Sequence, residues 1–393
     1  MAAADRFEWP WLDEAHRKLA SGVESWAAKA LVDGEEPDDI DAAVRRLVED
    51  LGRNGWLRYC VPSSHGGVLP AVDCRSLCII RETFAYRDAL ADFAFALEGL
   101  GSCSIALRGS AEQKDAYLPR IVNGTAVAAF ALSEPDAGSD AAALTTTARR
   151  DGDDYVLDGV KTWTSNGGAA DFYVLFARVG EQPGSKGITA FIIDRDTPGL
   201  ETEARIHVMA PHPLATMRLR GCRIPASARI GAEGDGFKVA METLDLFRPS
   251  VAAAALGFAR RAHDEAVMRA RSRRMFGQTL ADFQLTQAAI GDMAALVDAS
   301  ALLVYRAAWL RDTAQRRVTK EAAIAKMFAT EAAQKVIDRA VQIHGGLGVV
   351  RGNVVERLYR DIRALRIYEG ATEVQQLIVG RHELADDGQA AGR

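Results

Sequence analysis

The sequence predicts an α+β protein with a helical domain, a middle β domain and a second helical domain. Two observations carry this prediction. Apolar residues recur at helical spacing near both ends of the chain, whereas the middle holds short apolar runs separated by Gly and Pro. A length of 393 residues suffices for two or three domains. The predicted domains are residues 1–125, 126–235 and 236–393.

Helices dominate the N-terminal domain. Apolar residues three to four positions apart mark one face of a helix from Ile40 to Leu57. Residues 76–105 form a second helical region that is rich in Ala, Leu and Phe. A short helix at 112–121 is predicted to stop near Pro119, because proline breaks a helix interior.

Short strands follow from about residue 126. LTTTARR and YVLDGVKTW flank Asp151-Gly152, which is a hairpin signal. The other apolar runs are at 126–132, 172–179, 187–194 and 216–224. Strands at this spacing predict an antiparallel barrel or sandwich.

The helical pattern returns at Gly236 and continues to the C-terminus. Thr319 followed by Glu321 predicts a helix start, and Gly345-Gly346 predicts the end of that helix. The C-terminal domain is therefore built of long helices.

Composition argues against several classes of function. The net charge of −5 gives no basic field, so no nucleic-acid partner is expected. The N-terminus lacks an apolar signal segment, and the most apolar run is about half the roughly 20 residues of a membrane span. Five scattered cysteines fit reduced thiols, so we expect a cytoplasmic protein without a membrane anchor. The seven histidines form no metal-binding motif, and no metal site is predicted.

Two loops at predicted strand ends could hold a flat cofactor. FALSEPDAGSD (130–140) offers hydroxyl groups and free N–H groups at a turn. KTWTSNGG (161–168) adds Trp163, whose indole could cover one face of a planar group. A plain polar turn and a half-packed Trp are the alternatives. Together the loops favour a site for a flat polycyclic cofactor.

Two other segments bear on phosphate and nucleotide binding. RSRRMFGQTLADFQ (271–284) contains arginines, which suit phosphate through paired N–H donors, although a solvated basic helix end is the alternative. HGGLGVVRG (344–352) follows a helix instead of a strand, so it predicts a helix end that could approach a ligand and not a nicotinamide site.

The segment RIYEGATEVQQLIVGR (366–381) contains a candidate base. Thr372 and Gln375 predict a capping box, which would leave Glu369 just outside the helix. A lone Glu is usually a surface residue. Partial desolvation against Tyr368 would instead raise its pKa and suit it to accept a proton.

These motifs together resemble the acyl-CoA dehydrogenase family. The matching segments, in the family's order and spacing, are EQKDAYLPRIVNG, FALSEPDAGSD, KTWTSNGG, GAEGDGFKVAMETLD, RRMFGQTLADFQ, QIHGGLGV and RDIRALRIYEGATEVQQLIVGR. The resemblance spans about residues 35 to 384. It implies a C-terminal four-helix bundle, a homotetramer that is a dimer of dimers, and FAD bound with help from a neighbouring subunit.

The resemblance assigns roles residue by residue. Glu369 matches the catalytic base. The positions that match FAD contacts are Phe130, Leu132, Ser133, Trp163, Ser165, Arg273, Phe276, Gln284, Gln342, Gly345, Gly346, Thr372 and Glu373. The positions that match substrate contacts are Ser139, Asp245, Arg248, Tyr368 and Gly370.

The implied chemistry is α,β-dehydrogenation of an acyl-CoA to the trans-2-enoyl-CoA. Glu369 would remove the pro-R α-proton while a hydride leaves the β-carbon for flavin N5. Some members carry the base at the position of Phe247, which cannot act as a base, so Glu369 is the predicted base. Ala371 stands where Thr is frequent, which puts one FAD hydrogen bond in doubt.

The substrate is predicted less sharply. Ala91 occupies the place of an arginine in glutaryl-type members, which disfavours a dicarboxylic acyl group. Phe93, Phe95 and Phe247 favour a short, branched or cyclic chain. Asp92 could be a second carboxylate of the pocket. The preferred alternative is that it faces solvent or pairs with Arg87 or another basic group.

The resemblance also implies partners. Electron-transferring flavoprotein is the expected electron acceptor. An acyl-CoA oxidase, a dehydrogenase of a carrier-protein-bound thioester, and a non-catalytic or DNA-associated flavoprotein remain alternatives.

Overall fold

The computed structural model describes residues 8–32, 34, 36–314 and 316–385. Residues 1–7, on which the expectation about a signal segment partly depends, lie outside this set. The N-terminal helices are α1 (Glu14–Ala30), α2 (Ile40–Arg53), α3 (Cys74–Arg87), α4 (Ala89–Arg108) and α5 (Ala111–Val122). The strands that follow are β1 (Ala128–Ala131), β2 (Thr147–Asp151), β3 (Asp154–Ser165), β4 (Phe172–Arg178), β5 (Ile188–Asp194), β6 (Leu200–Ile206), β7 (Leu214–Pro225) and β8 (Arg229–Ile230). The remaining elements are α6 (Gly236–Ser272), a hairpin of β9 (Arg274–Met275) and β10 (Gln278–Thr279), α7 (Gln284–Thr313), α8 (Thr319–His344), α9 (Val354–Leu365) and α10 (Thr372–Glu383). This order confirms the predicted sequence of helices, strands and helices.

The strands form one eight-stranded sheet in the order β6-β7-β3-β2-β4-β5-β8, with β1 also paired to β4. β2 and β3 form the predicted hairpin, because Asp151 pairs with Asp154 across Gly152, whose φ is 65°. Most pairs are antiparallel, but β1 and β2 each meet β4 in parallel. One face packs around buried residues that include Tyr155, Leu175 and Phe191. The ends of β1 and β3 carry the two loops predicted to hold a flat cofactor.

The α5 helix corrects the predicted stop at Pro119. It begins at a capping box between Ser110 and Gln113 and runs on to Val122 with the proline inside. The carbonyl of Pro119 accepts a bond from the backbone N–H of Asn123 at 3.1 Å. Bonds of this kind complete the last turn, so the missing proline N–H does not end the helix.

The chain folds into two compact units, which we describe separately. The helical unit contains Met1–Glu36, Cys74–Asp92 and Asp245–Arg393. The β unit contains Pro37–Asp73 and Phe93–Leu244.

Two helices of the described chain, α4 and α7, are long and apolar enough to cross a membrane by length and composition alone. The apolar stretch of α4 is 89% buried within the protein, as in the core helix of a globular domain. The corresponding stretch of α7 is only 33% buried. Its exposed apolar residues are Leu285, Leu302 and Trp309.

Candidate active site

The turn between α9 and α10 gives Glu369 an unusual backbone. Its φ is 51°, and Gly370 follows with a φ of 94°. Among the described residues, the non-glycine positions with left-handed φ are Trp163, Asn166, Phe276 and Glu369. Such conformations cost about 1–3 kcal/mol each and cluster at functional sites. Three of the four are predicted site residues, which supports a functional origin of the strain.

Side chains from α8 and α10 hold this turn. Lys326 Nζ donates to the Gly370 carbonyl at 2.7 Å. Gln375 Nε2 donates to the carbonyls of Glu369 at 3.2 Å and Gly370 at 3.0 Å. A Cβ on Gly370 would lie 2.3 Å from that nitrogen, so glycine is required there. The backbone that carries the Glu369 side chain is therefore held by two buried residues.

The predicted capping box at Thr372 is wrong. Thr372 is the first residue of α10, and Ala371 precedes the helix without a side-chain cap. Thr372 Oγ1 donates to Glu331 at 2.7 Å, and Arg366 Nε donates to the same carboxylate at 2.8 Å. The Gln375 amide instead donates to the carbonyls of the Glu369 turn, which would otherwise lack donors, so it does not cap the start of α10.

The carboxylate of Glu369 is poised to accept a proton. Its Oε2 is shielded from solvent and has no hydrogen-bond partner among the described residues. Burial raises the pKa of Glu369, while the charges of Arg81, Arg248 and Lys326 oppose the rise. A raised pKa makes the carboxylate a stronger base, and the nearby cations limit the rise.

A buried ion pair lies beside the base. Arg81 Nε and Nη2 donate to the two carboxylate oxygens of Asp92 at 2.8 and 2.9 Å, and Arg81 Nη1 donates to Ser250 at 3.0 Å. Burial and the nearby charges of Asp92 and Glu369 raise the pKa of Tyr368, while Arg81 opposes the rise. The preferred alternative for Asp92 is confirmed in the form of a pairing with another basic group, because Asp92 is buried against Arg81 and neither faces solvent nor pairs with Arg87. Sequence reasoning missed Arg81, whose pairing crosses from α3 to α4 and leaves no local signal.

The predicted substrate contacts on α6 form a second ion pair near the base. Arg248 Nη1 donates to Asp245 Oδ1 at 2.7 Å, and Arg248 Nε lies 3.5 Å from the Glu369 carbonyl. Thr319 Oγ1 donates to Asp245 Oδ2 at 3.2 Å. Phe247, which lies between the two ionic residues in sequence, is fully buried. The helical unit thus brings together Glu369, Tyr368, Gly370, Asp245 and Arg248.

In the β unit, a buried salt bridge joins the two strand-end loops. Lys161 Nζ contacts Glu134 Oε1 at 2.8 Å and the Leu132 carbonyl at 3.1 Å. Glu134 also accepts bonds from the backbone N–H groups of Thr145 and Thr146. Burial raises the pKa of Glu134, but Lys161 and the hydrogen bonds from Thr146 and Thr145 together outweigh it, and the pKa falls to about 2. Sequence reasoning missed this pair, although both residues stand inside the quoted motifs.

The predicted flavin-ring contacts surround that salt bridge. Trp163 is 57% exposed at the end of β3 with a φ of 55°. The Thr162 N–H donates to the Ser133 carbonyl at 3.0 Å, which ties the two loops together. Ser165 Oγ lies 3.2 Å from His212 Nε2, and the ring centroids of Phe130 and Phe176 lie 4.9 Å apart in a tilted arrangement. Ser139 is exposed on the first loop.

The remaining predicted FAD contacts lie at exposed helix ends and a hairpin. Phe276 and Gly277, both with left-handed φ, form the turn between β9 and β10, and Phe276 is 85% exposed. A bulky side chain at the first position of such a turn is strained, and its exposure leaves it free to contact a ligand or another subunit. Arg273 precedes this hairpin and Gln284 begins α7. Gln342, Gly345 and Gly346 lie at the end of α8, and Glu373 is exposed in the first turn of α10.

Comparisons with known proteins identify the family of the chain. The chain matches the N-terminal, middle and C-terminal domains of acyl-CoA dehydrogenase over residues 13–125, 129–222 and 234–384. The chain belongs to the acyl-CoA dehydrogenase family. Members of this family are flavoprotein oxidoreductases that act on acyl-CoA, and the family uses FAD.

Three relatives of the chain illustrate the range of the family. The chain is 36% identical to cyclohexane-1-carbonyl-CoA dehydrogenase of Geobacter metallireducens, over 91% of this chain and 93% of the relative. It is 35% identical to the caffeyl-CoA reductase-Etf complex subunit CarC of Acetobacterium woodii, over 94% and 98%. The structure of butyryl-CoA dehydrogenase from Megasphaera elsdenii matches with a TM-score of 0.88 at 33% identity, over 95% of this chain and 99% of that one.

Proposed function

We propose that this protein catalyses FAD-dependent α,β-dehydrogenation of an acyl-CoA to the trans-2-enoyl-CoA, with Glu369 as the base. The observation that carries this proposal is the state of the Glu369 carboxylate. It has a shielded, unpartnered Oε2, stands on a left-handed backbone, and is attached to a turn held by Lys326 and Gln375. A structural or surface glutamate has no need of these features.

The chain's own residues account for the proton transfer. Glu369 would accept the α-proton at the unpartnered Oε2. Its backbone N–H would donate to the thioester oxygen, and one such donor is typically worth about 100- to 1000-fold in rate. Burial of the carboxylate excludes water that would otherwise compete for the proton. When bound, FAD supplies the acceptor for the β-hydride.

The residues of the β unit fit a flavin ring. An indole that is 57% exposed and held at a strained strand end offers a flat face, and Ser133 and Ser165 offer hydroxyl groups beside it. The buried pair of Glu134 and Lys161 would keep both loops in place. Phe130 and Leu132 would contribute apolar contacts. Arg273, Phe276, Gln284, Gln342, Gly345 and Gly346 would contact the FAD of a neighbouring subunit. Thr372 and Glu373 would lie next to the pyrophosphate and adenosine.

For the substrate we propose a CoA thioester with a short, branched or cyclic acyl group. Ser139, Asp245 and Arg248 would lie along the CoA path, and Tyr368 and Gly370 would contact the acyl thioester. The bulk of the buried Phe247 would favour a short chain over a long one. The name of the Geobacter relative supports a cyclic acyl group.

We further propose a cytoplasmic homotetramer that passes electrons to electron-transferring flavoprotein. The exposed apolar residues of α7 would pack against other copies of the chain, because only 33% of its apolar stretch is buried within the protein. The name of the Acetobacterium relative supports the choice of acceptor. An oxidase that uses oxygen directly is the alternative.

An anaerobic reduction assay tests the function. The purified yellow protein is mixed with a panel of straight, branched and cyclic acyl-CoAs, and the flavin absorbance is followed. We expect bleaching with the correct acyl group, and turnover with electron-transferring flavoprotein or a dye. Absence of bleaching across the panel would rule out the dehydrogenase proposal. Rapid oxygen uptake during turnover would favour the oxidase.

A further inference from the structure

We propose that Lys326 is a positioning residue for Glu369: it fixes the turn that carries the base and places a positive charge beside that turn. This inference rests on the proposed function, because it assigns a role toward the base of that reaction. It starts from a fully buried cation on α8 whose contact lies in the Glu369 turn.

The contact of Lys326 is unusual for a buried lysine. Its side chain is 0% exposed, and its Nζ donates to the backbone carbonyl of Gly370 at 2.7 Å. No carboxylate of the described residues forms an ion pair with it. Burying an ammonium without a paired carboxylate is costly. A charge kept in such a place is expected to serve a purpose other than stability.

One purpose is to hold a strained backbone. Glu369 and Gly370 both adopt left-handed φ, which a non-glycine residue leaves readily for the right-handed region. The Gly370 carbonyl is fixed by Lys326 and Gln375 together, and Gln375 is also fully buried. Loss of the stronger, charged donor would let the turn relax and move the carboxylate. A displacement of about 1 Å in a catalytic group can cost roughly 100-fold in rate.

The second purpose is electrostatic. The charged groups that face the Lys326 ammonium are Glu369, Arg248, Glu331 and Glu373. Burial and Arg248 lower the pKa of Lys326 to about 8, while the three carboxylates oppose the shift. The ammonium is therefore charged at neutral pH, with the carboxylate of the base as its strongest attractive neighbour.

The other cations near the base are already engaged. Arg81 holds both oxygens of Asp92, and Arg248 holds Asp245 at 2.7 Å. Glu331, the next carboxylate around the ammonium, accepts bonds from Arg366 and Thr372. Each arginine is thus bound to a carboxylate of its own, whereas Lys326 forms no ion pair among the described residues. All three cations oppose the rise in the pKa of Glu369, and Lys326 also binds the turn of the base through the Gly370 carbonyl.

The test compares Lys326→Met and Lys326→Arg with the wild type in single-turnover flavin reduction, measured from about pH 5.5 to 9. Glu369 must be ionised to accept a proton, so the rate rises through its pKa. Without the ammonium that pKa rises. We therefore expect the acidic limb of the pH–rate profile, where the rate increases with pH, to move up by about one pH unit in Lys326→Met. We expect the rate at pH 7 to fall by roughly 10- to 100-fold. Lys326→Arg keeps the charge and should keep the limb near its wild-type position.

The matched control is Lys320→Met, which removes a lysine of the same helix whose partner Glu383 is exposed. It should leave the limb and the rate unchanged. A Lys326→Met protein with normal flavin content and the wild-type limb would overturn the proposal. So would a rate lowered equally at every pH and not restored by Lys326→Arg, because that pattern indicates a structural role alone.

A double-mutant cycle in melting temperature tests the same pairing without turnover. Lys326→Met should lower the melting temperature more in the wild type than in Glu369→Gln, where the ammonium has lost its counter-charge. Equal effects in both backgrounds would contradict the pairing. If Lys326→Met does not fold, Lys326→Gln replaces it in both experiments. Because the cycle needs no substrate, it separates failure of this inference from failure of the proposed function, which the wild-type bleaching assay reports.

Discussion

The two units of the molecule each bury a lysine completely, but they use it differently. In the β unit, Lys161 faces Glu134 at 2.8 Å and closes a salt bridge between two loops. In the helical unit, Lys326 binds the Gly370 carbonyl beside Glu369. Burial lowers the pKa of both lysines to about 8, and in each case a glutamate opposes the shift. The two lysines are thus similarly buried. The charge of Lys161 is neutralised by Glu134, whereas Lys326 has no ion-pair partner among the described residues and lies beside the turn of the base.

This difference suggests a structural role for Lys161 and a role in proton transfer for Lys326. A buried salt bridge with further hydrogen bonds holds its surroundings rigidly and leaves no net charge. An ammonium bound to a carbonyl leaves its field acting on the nearest carboxylate. We therefore expect substitutions in the β unit to change stability and cofactor retention, and substitutions around Glu369 to change the rate and its pH dependence.

The largest effect is expected from Glu369→Gln. The amide keeps the size of the side chain and cannot accept the α-proton, so flavin reduction should fall by at least roughly 100- to 10,000-fold. Flavin content and acyl-CoA binding should remain, which absorbance and a binding titration measure. Glu383→Gln, on the exposed end of α10, is the control and should have wild-type activity. Near-normal reduction by Glu369→Gln would remove Glu369 from its role.

The next effect is expected from Lys161→Met. Glu134 would stay buried with its negative charge uncompensated, which costs about 3–5 kcal/mol in free energy of unfolding. Thermal unfolding and flavin content measure this loss. The double variant Lys161→Met with Glu134→Leu should recover much of the stability, because neither charge is left alone. If Lys161→Met moved the acidic limb of flavin reduction as Lys326→Met is expected to, the contrast between the two lysines would be lost.

A smaller effect on the rate is expected from Asp92→Asn. Asp92 raises the pKa of Glu369 slightly, and its loss leaves the full charge of Arg81 facing the base. The acidic limb should therefore move to lower pH by less than about one unit, with the rate within roughly tenfold of the wild type. The pH profile of single-turnover reduction measures this shift. A loss as deep as that of Glu369→Gln would instead make Asp92 a second base.

Local sequence patterns predicted the elements and the motif-bearing loops well. α8 begins at Thr319 as predicted, although no side chain caps it. The end of α8 at Gly345 and the β2–β3 hairpin follow from turn chemistry that acts over a few residues. The predicted stop at Pro119 considered only the missing N–H of the proline. The Asn123 N–H donates to the Pro119 carbonyl and helps to complete the last turn of α5.

The supporting contacts of the site could not be predicted in this way. Arg81 and Asp92 lie 11 positions apart on different helices, and Lys326 and Gly370 lie 44 apart. Such pairings are set by tertiary packing, and a buried Arg or Lys in a helix carries no local mark of its partner. Gln375 shows the same limit, because its position suggested a cap while the neighbouring carbonyls claimed its amide.

The smallest effect is a pH dependence of stability that the two lysines should share. Each has a folded-state pKa of about 8 against an ordinary value of 10.5, so the unfolded chain binds more protons between these values. Stability from this source is therefore fully present only above the unfolded pKa and is lost as the pH falls through about 8. Relative to Lys326→Met, the wild type should gain about 2 kcal/mol in free energy of unfolding between about pH 7.5 and 9.5. Denaturant unfolding at the two pH values measures the gain.

Lys161 should give a gain of the same sign and similar size when the wild type is compared with the Lys161→Met and Glu134→Leu double variant. The agreement would show that burial controls the titration of both residues and that their different partners do not. A gain for Lys161 without one for Lys326 would mean that the Glu369 field holds the proton on Lys326 to higher pH. In that case the attraction between the ammonium and the Glu369 carboxylate would outweigh the effect of burial on the pKa of Lys326. The acidic limb of the pH–rate profile of Lys326→Met should then shift by more than about one unit.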